Sequence, residues 1–128
     1  METPKDIKYT EDHEWVRVTG NTAVVGITDY AQGELGDIVF VELPAVGTEV
    51  AQGASFGTIE AVKTVSDLFA PVGGKVVEVN AAVADKPELI NKSPYGDGWM
   101  IKLEMANPAE MGKLMEADAY RSHVGEGH

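Results

Sequence analysis

Lys63 stands between two short runs of strand-forming residues and has an acidic residue on each side. Glu60 precedes it by three positions and Asp67 follows it by four. A lysine held at a tight turn between paired strands presents its amine to solvent from a fixed backbone. Once acylated, such a lysine is a long tether anchored at a rigid point. From spacing alone, an ordinary solvated lysine is the simpler interpretation, and an attachment site is the alternative that the chemistry allows.

Other reactive groups give weaker patterns. The chain has no cysteine, which excludes disulfides, thiolate nucleophiles and cysteine zinc sites. A hydrolase would need His13 beside a serine and an acid, but no nucleophile-elbow pattern surrounds any serine. The three histidines, at positions 13, 123 and 128, lack the spacing of metal ligands. The glycine pairs Gly73–Gly74 and Gly96–Gly98 are not followed by the residues of a phosphate loop and indicate turns.

Charge and hydrophobicity narrow the function classes further. Ten Lys and Arg against 21 Asp and Glu give a formal charge of −11, which repels phosphate backbones and anionic lipids. We therefore expect no nucleic-acid binding and no membrane association. No apolar run is long enough to span a bilayer, and the first residues lack the pattern of a secretory signal or transit peptide. These features predict a protein that is cytoplasmic or already processed.

Strand signals dominate the chain, and turn residues separate them at short intervals, as in an all-β sandwich or barrel. A type II′ turn at Gly20 and Asn21 is expected to join the first two strands. The clearest strand is Trp99 to Met105, where Trp99 and alternate residues after it are expected to be buried and Met100, Lys102 and Glu104 exposed. The predicted strands are Glu14 to Thr19, Thr22 to Ile27, Asp37 to Leu43, Thr48 to Ala51, Ala54 to Ala61, Val76 to Val79 and Trp99 to Met105.

Helical signals are fewer and the strongest is near the end. Asn107 as cap, Pro108 at the first helical position and Glu110 in a capping box predict a helix from about Pro108 to Tyr120. Shorter helices are expected at Asp29 to Gly33 and, with Asp85 as cap, at Pro87 to Asn91. The sequence thus predicts one mostly-β domain over residues 1–128, with a core of about 8–120 and a flexible tail at 121–128.

The segment around Lys63 resembles the attachment motif of the biotinyl and lipoyl domain superfamily. Biotin carriers typically place Met on both sides of the lysine, and lipoyl domains of 2-oxoacid dehydrogenases place Asp before and Ala after it. Here Val62 and Thr64 flank it, and with Glu60, Asp67, Pro71 and Gly74 they are similar to the H-protein family of the glycine cleavage system. The resemblance covers about Lys8 to Tyr120 and includes Tyr9, Thr10, His13, Glu14, Trp15, the run from Val25 to Val39 and the run from Leu89 to Trp99.

The resemblance implies a lipoyl-domain-like β-sandwich or hybrid barrel with short helices and a C-terminal helix. It also implies a non-catalytic carrier in which lipoate is joined to Lys63 by an amide. The implied partners are a pyridoxal-phosphate glycine decarboxylase (P protein), an aminomethyltransferase (T protein), a dihydrolipoyl dehydrogenase (L protein) and a lipoate ligase or transferase. A monomer is expected, because the arm must be presented to several docking surfaces in succession.

Two acidic residues have an implied role in holding the loaded arm. Carriers of this family are thought to fold the arm into a cleft, and the positions that match the carboxylates facing a charged amine are Glu14 and Asp67. Both could equally be surface acids near a turn. A lipoyl protein of the same fold that donates lipoate to other proteins, or serves another complex, stays open as an alternative. A biotin carrier is also open and would be retained by avidin.

Overall fold

The computed structural model describes residues 2–125, and within them two antiparallel sheets form most of the fold. The larger sheet has the strand order β1-β2-β3-β9-β8-β5, and the smaller has the order β4-β6-β7. The strands are β1 (Lys8–Tyr9), β2 (Glu14–Thr19), β3 (Thr22–Ile27), β4 (Ile38–Glu42), β5 (Glu49–Val50), β6 (Ser55–Ala61), β7 (Val65–Phe69), β8 (Gly74–Val79) and β9 (Ile101–Met105). The prediction of a mostly-β sandwich with short helices and a C-terminal helix is confirmed.

The main core lies between the two sheets because β-branched and aliphatic residues alternate along the strands. It contains Val16, Val25, Ile59, Leu68 and Leu103, all almost fully buried. A second cluster is aromatic and packs the N-terminal segment and the C-terminal helix on the outer part of the large sheet. Its buried members are Ile7, Tyr9, Trp15, Tyr95, Ala117 and Tyr120. Among residues 2–125, no helix is long and apolar enough to cross a membrane.

The hairpin between β2 and β3 has the predicted two-residue turn. Thr19 pairs with Thr22, so Gly20 and Asn21 are its central residues. Gly20 has a φ of +63°, and Asn21 is not among the residues with positive φ, as a type II′ turn requires.

The strand β9 begins two residues later than predicted, and the predicted exposure of Met100 is wrong. Met100 is fully buried in the main core, although it was expected on the same face as Lys102 and Glu104. The backbone N–H of Met100 donates to Val25 O, and its carbonyl accepts from Asn80 N. Because Met100 precedes the regular strand, the period of two that places side chains from Ile101 onward does not apply to it.

The single helix predicted over 108–120 is also wrong. A 310 helix covers Pro108–Lys113, and the helix α4 covers Ala117–His123. Met115, between them, forms an antiparallel bridge with Tyr9 through two backbone hydrogen bonds of 2.8 Å. Such a bridge needs extended backbone, which ends the helical path. Asn107 caps the 310 helix as predicted, but Glu110 accepts from Gly73 N at 2.8 Å instead of closing a capping box.

The remaining helices follow the prediction in part. Helix α1 covers Asp29–Leu35, α2 covers Ala81–Asp85 and α3 covers Glu88–Lys92. The sequence interpretation missed α2, which Asn80 caps by accepting from Ala82 N at 3.1 Å. Asp85 therefore ends α2 and does not cap α3. The first three residues of the predicted tail, 121–123, continue α4, and residues 126–128 lie outside the described part of the chain.

Candidate functional site

Lys63 lies at the tip of the hairpin that joins β6 to β7. Glu60 pairs with Val65, and Ala61 N donates to Thr64 O at 2.8 Å, which closes a turn with Val62 and Lys63 at its centre. The turn is also held from the side, because Val62 N donates to Asp37 O at 3.1 Å. The Lys63 side chain is exposed. The structure therefore presents this amine to solvent from a backbone that is hydrogen-bonded on both sides.

The sequence builds this hairpin by alternating the two faces of its strands. Ile59 and Leu68 point into the main core and are almost fully buried, whereas Glu60 and Asp67 are exposed. The inward pair holds the strand register, because a slip of one residue would bring the acids into the core. The hairpin is thus stiff on its inner face and polar around the lysine.

Exposed apolar side chains accompany Lys63 on the outer face of the small sheet. Phe40 on β4 lies opposite Glu60, and Glu60 lies opposite Val65, so the three side chains form a row across the sheet. Phe40, Val65 and Val62 are all more than half exposed. Exposed apolar side chains with polar residues near them are typical of surfaces that bind other proteins.

A cleft of about 230 Å³ opens between the start of β2, helix α1 and strand β7. Its walls combine apolar side chains from the core with acidic residues at the rim, a lining that suits a chain with an apolar stem and a polar end. The lining residues are Asp12, His13, Glu14, Ile27, Tyr30, Ala31, Glu34, Leu35, Ile59, Ser66, Asp67 and Leu68. The two acids singled out in the sequence, Glu14 and Asp67, are therefore both in the wall of one cleft.

Glu14 is not a surface acid, because its side chain is only 2% exposed. Thr10 Oγ1 donates to its Oε1 at 2.7 Å, and Phe69 N donates to its Oε2 at 3.4 Å, so the carboxyl group links β2 to β7 across the two sheets. Burial raises the pKa of Glu14 to about 8, and the bonds from Thr10 and Phe69 only partly oppose this effect. Glu14 thus holds a proton near neutral pH and can release it when a cation comes close.

Asp67 differs from Glu14 in its surroundings. It lies on β7 opposite Thr58 of β6, and its side chain is exposed. The cleft therefore has one buried carboxyl group and one solvated carboxylate in its walls.

His13, Tyr30 and Glu34 also line the cleft, and the sequence did not assign them to it. His13 has a φ of +71°, and its Nδ1 is 2.9 Å from Tyr120 Oη, which lies 2.7 Å from Thr28 Oγ1. Burial, reinforced by His123, lowers the pKa of His13. The sequence did predict a helix at Asp29 to Gly33. That helix forms one wall of the cleft, so its prediction was the signal from which the position of Tyr30 could have been inferred.

His13 does not form the constellation of a serine hydrolase. Its ring nitrogen Nδ1 bonds Tyr120, whereas Ser66 Oγ donates to Asp67 O. A serine nucleophile must be bonded to its histidine base, and this pairing is not present in the described part of the chain.

The sequence and the structure of this chain were both compared with those of known proteins, and both are similar to glycine cleavage H proteins. The family model described as glycine cleavage H-protein matches residues 7–127. A glycine cleavage system H protein from Brevibacillus brevis is 60% identical over 126 residues, covering 98% of this chain and 100% of the relative. One from Symbiobacterium thermophilum is 57% identical and covers 97% of each. The crystal structure of a glycine cleavage system H protein from Mycobacterium marinum has a TM-score of 0.89 and 44% identity, covering 95% of this chain and 98% of that one.

Proposed function

We propose, from the premise that this chain belongs to the glycine cleavage H-protein family, that Lys63 carries a lipoyl group in amide linkage. The observation that carries the proposal is the exposed amine at the tip of the β6–β7 hairpin, fixed by the bonds of Ala61 and Val62. A ligase can reach such an amine without unfolding the chain. The cleft beside it has room and an apolar lining for part of an attached arm.

The protein is a carrier of the glycine cleavage system and not itself a catalyst. When bound, the lipoyl group supplies a reversible disulfide that accepts the aminomethyl group left after decarboxylation of glycine. The contribution of this chain is to anchor that group at one fixed point. Anchoring gives a high local concentration at each enzyme that binds the carrier, without a second binding event for the arm.

Other components of the glycine cleavage system are the partners of the family. Specifically, the arm is loaded at the P protein, unloaded at the T protein and reoxidised at the L protein, after a lipoate ligase or transferase has modified Lys63. The row of Phe40, Glu60 and Val65 beside the lysine supports contact with such partners, because apolar side chains are exposed there around an acid. The formal charge of −11 favours partner surfaces that are basic.

Glu14 and Asp67 have a role in holding the loaded end of the arm. An ammonium group in the cleft would meet the buried carboxyl of Glu14 and the solvated carboxylate of Asp67. The cation favours the ionised form of Glu14, so the proton leaves Oε and a charge-assisted bond replaces it. The pair would thereby keep the loaded group away from bulk water.

The carrier acts as a cytoplasmic monomer in this proposal. A single arm that visits several enzymes needs the hairpin and its surroundings to stay free of a second copy. Sedimentation of the lipoylated chain alone should give the mass of one chain, and a stable dimer would require revision of how the arm is presented.

Reconstitution tests the function directly. The lipoylated chain, mixed with the P, T and L proteins, tetrahydrofolate and NAD, should support glycine-dependent release of carbon dioxide. Lys63→Arg should abolish the release, whereas Lys75→Arg, at an exposed lysine on β8, should leave it unchanged. Full activity of the Lys63→Arg chain would contradict the assignment of the arm to Lys63.

A further inference from the structure

The end of the Lys63 side chain lies where a side chain at position 36 would begin. A Cβ added to Gly36 would lie 2.9 Å from Lys63 Cε and 3.5 Å from Lys63 Nζ. The first distance is shorter than a normal contact between carbon atoms, which lies near 3.5–4.0 Å. The lysine stem therefore occupies space that only a glycine at position 36 leaves free.

Gly36 adjoins the cleft. It follows Leu35, the last residue of α1, and Tyr30, Ala31 and Glu34 of the same helix are in the cleft wall together with Leu35. The end of the lysine side chain thus lies beside the residue that follows α1, the helix that forms one wall of the cleft.

Several hydrogen bonds hold Gly36 in place under the lysine. Its N–H donates to Gln32 O at 2.9 Å, and its carbonyl accepts from Asn91 Nδ2 at 2.9 Å. Asn91 Oδ1 also accepts from Ile38 N at 3.0 Å. Together with the bond from Val62 to Asp37, these contacts fix residues 36–38 against the hairpin tip. The gap left by the missing side chain of Gly36, here called the notch, is therefore held in a fixed position relative to the hairpin tip.

We propose that Gly36 is a positioning residue that lets an acylated Lys63 turn from the hairpin tip into the cleft. The inference rests on the proposed function, because it needs an arm on Lys63. A side chain at position 36 would close the notch and hold the stem away from α1. The arm would still be attached and still reach partner enzymes, but its loaded end would spend less time between Glu14 and Asp67.

The variant that tests this is Gly36→Ala, and its matched control is Gly47→Ala. Both positions have positive φ, +78° for Gly36 and +96° for Gly47, so alanine is strained at each. A Cβ at Gly47 would meet nothing within 4 Å. The control therefore keeps the strain of a positive φ and leaves the lysine stem untouched. In Gly36→Ala the flexible lysine can swing toward solvent, so folding and acylation should persist.

The experiment uses the full chain, lipoylated by a lipoate ligase and then loaded with glycine and the P protein, which is removed afterwards. Water cleaves the loaded end, S–CH2–NH3+ plus H2O giving SH, CH2O and NH4+, and released formaldehyde is measured over time. Gly36→Ala should release it about tenfold faster than the parent chain, as expected if the inward orientation loses most of its population. Gly47→Ala should release it at a rate within about twofold of that of the parent chain.

As a second measurement, amide NMR shifts of Tyr30 and Leu35 on loading should be large in the parent and control and small in Gly36→Ala.

Three outcomes separate the two proposals. If Lys63 is not acylated in the parent chain, the proposed function fails. If all three chains are acylated and loaded but Gly36→Ala releases formaldehyde at the rate of Gly47→Ala, the notch has no role and only this inference is overturned. If Gly36→Ala does not fold, NMR of the parent chain replaces it. Loading should then shift the amide of Gly36 together with those of Tyr30 and Leu35, and shifts at Tyr30 and Leu35 without one at Gly36 would overturn the inference.

Discussion

The hydroxyl of Thr10 donates a 2.7 Å hydrogen bond to Oε1 of Glu14, and the Glu14 side chain is almost completely removed from water. Thr10 Oγ1 also accepts from Glu14 N at 3.1 Å. The two residues therefore form a small closed unit at the start of β2, which fixes the carboxyl group in the cleft wall. Because the bond from Thr10 does not offset the loss of hydration, Glu14 stays protonated at a pH where carboxyl groups are ordinarily ionised.

Glu14 should make stability depend on pH between its unfolded and folded pKa values. The folded pKa is raised to about 8 from 4.5, so in this window the folded state holds a proton that the unfolded state has lost. The free energy of unfolding contributed by this group therefore falls as pH rises, by up to about 1.4 kcal/mol per pH unit. Glu14→Gln lacks this dependence, and denaturant unfolding near pH 5.5 and pH 7.5 measures it. We expect the stability of the parent minus that of Glu14→Gln to decrease with pH; a constant difference would contradict the raised pKa.

Loss of either carboxylate should shorten the life of the loaded arm. Glu14→Gln should accelerate formaldehyde release from the loaded chain by about tenfold or more, because a buried charge pair is worth more than an exposed one. Asp67→Asn should have a smaller effect, of about twofold to threefold. Glu42→Gln, an exposed acid on the neighbouring strand β4, is the control and should behave as the parent. Equal rates for Glu14→Gln and Glu42→Gln would remove Glu14 from the arm-holding role.

Gly26→Ala should destabilise the large sheet. Gly26 lies opposite Trp15, and a Cβ there would be 2.7 Å from Trp15 Cζ2. Trp15 is fully buried and donates from Nε1 to Pro94 O at 2.9 Å, so it cannot move without losing this bond. We expect a loss of about 1–3 kcal/mol in the free energy of unfolding. The control is Gly33→Ala in α1, which meets nothing within 4 Å and should be neutral or stabilising by up to about 1 kcal/mol. Equal effects of the two substitutions would show that the indole is not packed as described.

Tyr120→Phe should loosen helix α4. The Tyr120 hydroxyl joins Thr28 Oγ1 and His13 Nδ1, which lie 92 and 107 residues before it in the sequence. Its removal leaves a buried hydroxyl with one partner fewer and should cost about 1–2 kcal/mol. Tyr30→Phe removes an exposed hydroxyl bonded only weakly to Glu34 and should change stability by less than about 0.5 kcal/mol. Thermal unfolding followed by far-UV circular dichroism compares the two; indistinguishable midpoints would argue against a structural role for the Tyr120 bridge.

Local patterns were sufficient to predict most of the strands and the hairpin that carries Lys63, but not the two-residue strand β1. Alternation such as that of Ile101, Leu103 and Met105 reports which face of a strand is buried, and Gly20 reports a turn. Both signals depend only on neighbouring residues. The strand and turn predictions based on them therefore do not require knowledge of contacts that are distant in sequence.

The misjudged elements depend on contacts that are distant in sequence. The C-terminal helix is broken because Met115 bridges Tyr9, more than a hundred residues away. Likewise Glu110 turns to Gly73 N and leaves its expected capping box. The pattern of residues around position 115 predicts a helix and gives no information about Tyr9 or Gly73, the partners that interrupt it.

The cleft was predictable only in outline. Resemblance pointed to Glu14 and Asp67, but neither the burial of Glu14 nor the contribution of His13 and Tyr30 follows from spacing. These depend on how α1 packs beside the hairpin. The notch at Gly36 is of the same kind, because a glycine before a strand ordinarily indicates a helix end, and its contact with Lys63 is visible only in three dimensions.

The most direct test of the central claim is intact mass measurement with peptide mapping after the chain is incubated with a lipoate ligase, ATP and lipoate. The account predicts one added lipoyl group, located on the peptide that contains Lys63, with no addition to the Lys63→Arg chain and full addition to Lys75→Arg. Lipoylation at another lysine, or none at all under conditions in which a known lipoyl carrier is fully modified, would contradict it.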